Sequence, residues 1–204
     1  CRGKEIRRGV SPQPDTQGPR HAPVHICGMT TVTLDWVQDG VTPHPTGGYL
    51  SVYTSRDYTE YVNDKGVRHR LDGPAYTHVG GRTEYWVEGQ QHRLGGPAIV
   101  DGLEEAWCDH GVLHRLDGPA ITSANGTREW YVNGVRHRED GPSIERGNGS
   151  REWHLHGKRH RVDGPAVTNP DGAVSWCLYG QKVSQEEHAE IVALLRETGE
   201  APDA

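Results

Sequence analysis

Thirteen histidines and a run of arginines carry most of the chemistry this chain could perform. An imidazole can ligate a metal or move a proton near neutral pH. A guanidinium can hold a carboxylate or phosphate by two-point contact. Their placement is regular: His-Arg stands at His69-Arg70, His92-Arg93, His114-Arg115, His137-Arg138 and His160-Arg161, in steps of 23, 22, 23 and 23 residues. Three residues beyond each arginine comes Gly-Pro, at Gly73-Pro74, Gly96-Pro97, Gly118-Pro119, Gly141-Pro142 and Gly164-Pro165. An active site is normally built once, from residues that differ. A motif that recurs at a fixed period marks a repeat architecture instead.

Spacing limits what these groups can do together. Equivalent residues on successive two-strand repeats stand about 10 Å apart, whereas zinc ligands lie about 2 Å from the ion. One histidine per repeat therefore cannot converge on a metal. The expected role is packing, with each histidine beside a Trp and each arginine paired to the Asp of Asp-Gly-Pro in its own or the adjacent repeat. His154, His156 and His160 break the pattern: His154 and His156 share a strand face, and His160 lies across the turn, which makes the three a candidate metal site. A second candidate is an aromatic ladder of Trp86, Trp107, Trp130, Trp153 and Trp176, read as a hydrophobic spine or as a stacking platform for sugar rings. The carboxylate pairs Glu104-Glu105 and Glu139-Asp140 fall on turns and surface strands. No serine has a nucleophile-elbow context, and no phosphate-cradling glycine loop precedes a helix. The chain reads as a non-enzyme that requires no cofactor.

The elements that position these side chains are short strands. In the fourth repeat Arg128 to Val132 is a strand, Asn133-Gly134 is a hairpin turn with φ > 0 at both residues, and Val135 to Arg138 returns. Gly141-Pro142 then breaks the ladder, Ser143 to Glu145 resumes an extended segment, and Gly147-Asn148-Gly149 turns into the next strand at Arg151. The turn glycines are Gly66, Gly89, Gly111, Gly134, Gly157 and Gly180, and the leading aromatics are Tyr85, Trp107, Trp130, Trp153 and Trp176. The second repeat is one residue short and carries Gly95 where the others have Asp72, Asp117, Asp140 and Asp163. A sixth copy starts at Trp176 but has Val183 where His is expected.

The boundaries follow. Residues 1–28 form an extended Pro/Gly-rich arm. Residues 29–60 are a degenerate repeat or N-terminal cap that includes Trp36, His44 and Gly47-Gly48. Residues 61–183 hold five repeats and the partial sixth, and 184–204 hold a C-terminal helix and tail. Ser184-x-x-Glu187 is a capping box, Ile191, Val192, Leu194 and Leu195 supply an apolar face, and Gly199 ends the run. Such a helix would cover the last hydrophobic face of the array.

Composition agrees with an array rather than a thick globule. Only 33% of the residues are hydrophobic, and Phe is absent. Net charge is −6, with the arm holding five basic against two acidic residues, the tail one against six, and 61–183 a near balance of 15 against 16. That balance argues against a nucleic-acid partner. No apolar run approaches the roughly 20 residues of a membrane span. Cys1, Cys27, Cys108 and Cys177 form no CxxC motif. Cys108 and Cys177 each follow a repeat Trp and so are expected at equivalent strand positions. Cys1 fits either a lipidated mature terminus or a fragment start.

The string aromatic–x–x–x–Gly–x–x–His–Arg–x–Asp–Gly–Pro–Ala over 61–183 resembles a variant of MORN-type β-hairpin repeats, in the form found in predicted proteins of phages, large viruses and bacteria. It departs from the standard pattern in having Arg directly after His and a Trp–Gly spacing one residue longer. The resemblance implies an all-β fold, a meandering antiparallel sheet of about a dozen strands closed by a short helix. It also implies a protein- or membrane-docking scaffold, within a virion or at a cell surface. The expected partner is a protein met by Arg68, Arg136, Arg138, Arg159 and Arg161, with Arg136 and Arg138 on the face opposite His137. Self-association through open sheet edges is a further expectation. The alternatives are a carbohydrate or cell-wall module using the Trp ladder, and a toxin-neutralising partner protein.

Overall fold

The computed structural model describes residues 37–43 and 49–198. The arm 1–28, Cys1, Cys27, Trp36, His44 and Gly199 lie outside the described residues.

The fold is an open antiparallel meander of 14 strands in chain order, opening with Val37–Pro43, Tyr49–Thr54 and Tyr58–Val62. From Tyr76 to Arg159 four units in turn each contribute two short strands to this sheet and then a separate two-stranded hairpin, whereas Val174–Leu178 runs unbroken through Trp176 and pairs with Gln181–Val183. In the fourth repeat Arg128–Glu129 pairs with Ile121–Thr122 on one side and Ile144–Glu145 on the other. The hairpin Tyr131–Val132 with Val135–Arg136 forms its own ladder. The sequence predicted one continuous strand through Trp130. Instead the aromatic residue joins two ladders: its N–H donates to Ser143 O at 2.9 Å in the sheet, and its carbonyl accepts from His137 N at 3.2 Å in the hairpin.

The hairpin turns have the predicted conformation, with Asn133 at φ 49° and Gly134 at φ 77°. Glu88, His110, His156 and Tyr179 hold the same left-handed first position at φ 46–50°. A non-glycine residue there costs on the order of 1 kcal/mol, so tertiary contacts must hold it. The turn glycine also bonds backward: Gly134 N donates to Leu113 O, and Gly157 N to Arg136 O, so each hairpin hangs on the one before.

The core is thin. Ala75, Ala98, Ala120 and Ala166, all from Gly-Pro-Ala, are fully buried, and Ser143 takes the place of alanine in the fourth repeat. Small residues at the one position every repeat buries completely explain how a chain one-third hydrophobic can fold. Cys108 and Cys177 are buried free thiols at equivalent positions, each directly after the leading Trp and paired in its hairpin ladder, with Leu113 and Lys182 respectively.

The last element is helix α1, Gln185–Thr198. Its capping box is formed: Glu187 N donates to Ser184 Oγ at 3.1 Å, and Ser184 N to Glu187 Oε2 at 2.8 Å. The buried stripe is narrower than predicted. His188 and Val192 are buried and Leu195 half-buried, while Ile191 and Leu194 stay exposed. The reason is that the helix packs through His188, whose ring lies tilted against Trp176 with centroids 4.8 Å apart and whose Nε2 bonds Arg161 O at 2.7 Å. No helix among the described residues is long and apolar enough to cross a membrane.

Candidate functional site

Each repeat arginine is clamped. The guanidinium carbons of Arg70, Arg93, Arg115, Arg138 and Arg161 lie 3.8–4.0 Å from the ring centroids of Tyr61, Tyr85, Trp107, Trp130 and Trp153. Against the guanidinium rests the glycine of Gly-Pro; a Cβ on Gly118 would stand 2.8 Å from Arg115 Cζ, and the other four lie within 2.9–3.0 Å. Nη1 donates to the proline carbonyl in all five, as in Arg115 to Pro119 at 3.3 Å. Nε donates to the Asp of the same repeat, at 2.7–2.8 Å for Asp72, Asp117, Asp140 and Asp163. Arg93, facing Gly95, keeps the ring and carbonyl contacts without a carboxylate. The arginine hydrogen bond holds the Asp117, Asp140 and Asp163 carboxyls below their usual range. Arginine, aromatic ring, Asp and glycine thus form one closed unit that fixes each loop.

Each repeat histidine locks the next hairpin. Nδ1 of His69, His92, His114, His137 and His160 accepts the backbone N–H of Glu88, His110, Asn133, His156 and Tyr179, at 2.9, 3.3, 3.1, 3.4 and 3.1 Å. These are the five left-handed turn residues, so the histidine supports the strained position. Three of these histidines also set their rings against those turn residues: His92 on His110, His137 on His156 and His160 on Tyr179.

The predicted partner-binding arginines divide into two groups. Arg138 and Arg161 belong to the clamps. Arg68, Arg136 and Arg159 pair with glutamates instead and are partly exposed. Arg68 bonds Glu60 and Glu84, at 3.0 and 3.3 Å. Arg136 bonds Glu129 at 2.9 Å, to which the Tyr131 hydroxyl also donates. Arg159 and Arg146 both hold Glu152, at 3.0 and 2.7 Å. Burial alone would raise the Glu152 carboxyl; the two guanidinium groups outweigh it and hold it low. Arg136 and Arg138 meet different rings, Arg136 Cζ lying 5.5 Å from the Tyr131 centroid and Arg138 Cζ 4.0 Å from that of Trp130.

The three-histidine candidate is not assembled. His154 is buried, with Nδ1 2.8 Å from Ser143 Oγ, and burial lowers its pKa. His156 stacks on His137, and His160 lies tilted against Tyr179. Each ring is thus engaged with a different neighbour, and the three do not form a metal-ligand cluster among the described residues. The Trp ladder is also out of frame at one end. Trp86 follows the leading Tyr85 and donates Nε1 to Glu84 at 2.8 Å, on the Arg–Glu side. Trp107, Trp130 and Trp153 carry a guanidinium on one face, and Trp176 carries His188.

Two features were missed in the sequence. The residue after His-Arg is Leu71, Leu94 or Leu116 in the first three repeats, and these are 53, 86 and 80% exposed. Leu116 edges an open groove between consecutive loops, lined also by Pro119, Trp130, Val132, His137 and Glu139. A leucine directly after His-Arg in three successive loops was the available signal. The second feature is the cluster of His92, Asp109 and His110, whose ligand atoms lie within 4.8 Å of one another. Comparison with protein-family profiles, with curated proteins and with solved structures finds no match to this chain.

Proposed function

We propose that this chain is a non-catalytic scaffold that docks a protein partner along its loop edge. The observation that carries the reading is the row Leu71, Leu94 and Leu116, three large apolar side chains exposed at equivalent positions of consecutive repeats. A fold with so little apolar substance gains nothing from leaving them in water, and exposed apolar patches mark interaction surfaces. The groove beside Leu116, with Pro119, Trp130 and Val132 in its wall, suits an inserted apolar side chain. The MORN-like form of the motif points the same way, since that family's members are mostly docking scaffolds. Arg68, Arg136 and Arg159 are the candidate polar contacts. Arg138 and Arg161 act indirectly, by holding their loops.

The test replaces Leu71, Leu94 and Leu116 together by serine and compares capture from source-cell lysate with the wild type. A stoichiometric protein partner lost by the variant supports the reading. Equal capture by both proteins removes the leucine row from the interface. Retention on cell wall alone, released by soluble sugar, would return the function to the Trp residues.

A further inference from the structure

Asp109 is where the repeat rule breaks. The second residue after the leading aromatic is Val87, Asp109, Val132, Leu155 and Leu178 in successive hairpins, apolar everywhere but here. The third residue is the left-handed turn residue that meets the preceding repeat's histidine, and here it is His110 at φ 46°. The same hairpin therefore brings a carboxylate and an imidazole to the ring of His92. Asp109 Oδ1 lies 2.9 Å from His92 Nδ1 and 2.6 Å from His110 Nδ1, and the two ring centroids are 4.1 Å apart.

The protonation of this group is in conflict. His92 Nδ1 faces the His110 backbone N–H at 3.3 Å, which requires a lone pair, and the Asp109 carboxylate at 2.9 Å, which requires a proton. One nitrogen cannot satisfy both. A cation among the three side-chain atoms would take the lone pairs of both Nδ1 atoms and of Asp109 Oδ1; the His110 N–H, which is exposed, would then exchange its 3.3 Å bond to His92 Nδ1 for water. Zinc ligands lie about 2.0–2.2 Å from the ion, so ligand atoms of a tetrahedral site stand about 3.3–3.5 Å apart. The carboxylate–imidazole pairs would open by about 0.5–0.8 Å to admit the ion. Asp109 and His110 are exposed and can rotate to do so, while His92 is held in the repeat.

We propose that His92, Asp109 and His110 bind a divalent transition-metal ion of the zinc class. Two imidazoles and one carboxylate suit such ions better than magnesium or calcium. The exposed side leaves the remaining coordination to water or to a partner's side chain. The His137–His156 pair is an internal control. It has the same two stacked rings, at 4.8 Å, but Leu155 stands in place of the carboxylate. The proposal does not depend on the docking reading.

The test uses the full chain, stripped of metal by chelation and titrated near neutral pH with Zn²⁺ by calorimetry and with Co²⁺ by visible absorption. One saturable equivalent is expected. Asp109→Val installs the residue type of the neighbouring hairpins, and His110→Asn copies Asn133, so both variants should fold, as circular dichroism would verify. Each should weaken binding by about a hundredfold or more, beyond the usual effect of losing an outer-shell group. His156→Asn should leave binding unchanged. Undiminished binding by Asp109→Val and His110→Asn would place the ion elsewhere, and no saturable binding by the wild type would reduce the cluster to an ion pair; either result overturns the proposal.

Discussion

Replacing Gly118 by alanine would set a methyl group 2.8 Å from Arg115 Cζ, and the guanidinium would have to leave its slot. It would lose its place 3.8 Å over Trp107, worth about 1 kcal/mol. It would also lose its bond to the Pro119 carbonyl, worth roughly 1 kcal/mol. Gly118→Ala should therefore destabilise the protein by about 2 kcal/mol. Gly118 does not occupy the left-handed region, so alanine meets no backbone penalty there. Once Arg115→Ala has removed the guanidinium, Gly118→Ala should be neutral, or slightly stabilising by limiting the unfolded chain. The four proteins of this double-mutant cycle, compared by urea unfolding, should show a coupling of about 2 kcal/mol. If Gly118→Ala costs the same with and without Arg115, the glycine serves the backbone alone and the clamp is wrongly described.

Acid should unfold the protein in two stages. Burial holds His154 neutral below the usual imidazole pKa near 6.5, so the unfolded chain takes up a proton that the folded chain refuses. Stability is then full above about pH 6.5 and falls as pH drops toward the folded value. A second loss follows where Glu152, Asp117, Asp140 and Asp163, all held below their usual values, become protonated in the fold. His154→Gln should remove the upper stage in a pH series of melting temperatures and leave the lower one. Ser184→Ala should cost about 1 kcal/mol by opening the capping box, read as a loss of helical signal and a lower urea midpoint.

The architecture was legible in the sequence because its rules are local. Asn133-Gly134 fixes a hairpin turn, the Gly-Pro pairs end the ladders, and Ser184-x-x-Glu187 starts the helix. The Arg–Asp pairing was readable for the same reason, since both partners sit in one loop. What sequence could not give were contacts made across a repeat. The histidine of one hairpin meets the turn residue about 19 positions on, which disperses His154, His156 and His160 and brings His92 to Asp109 and His110 instead. The break at Trp130 rests on its N–H bonding Ser143 O while its carbonyl accepts from His137 N, two separate partners that the strand pattern around it does not distinguish. The narrower stripe on α1 reflects a buried His188, polar in any hydropathy reading but used here as the ring partner of Trp176.

The claim that the His-Arg motif is architecture can be tested at its imidazoles. Long-range ¹H–¹⁵N correlation spectra near neutral pH report the tautomer of each ring. For His114 and His137, whose Nδ1 accepts the N–H of Asn133 and His156, the expected tautomer carries its proton on Nε2. A ring protonated at Nδ1, or one averaging freely between tautomers, would contradict it.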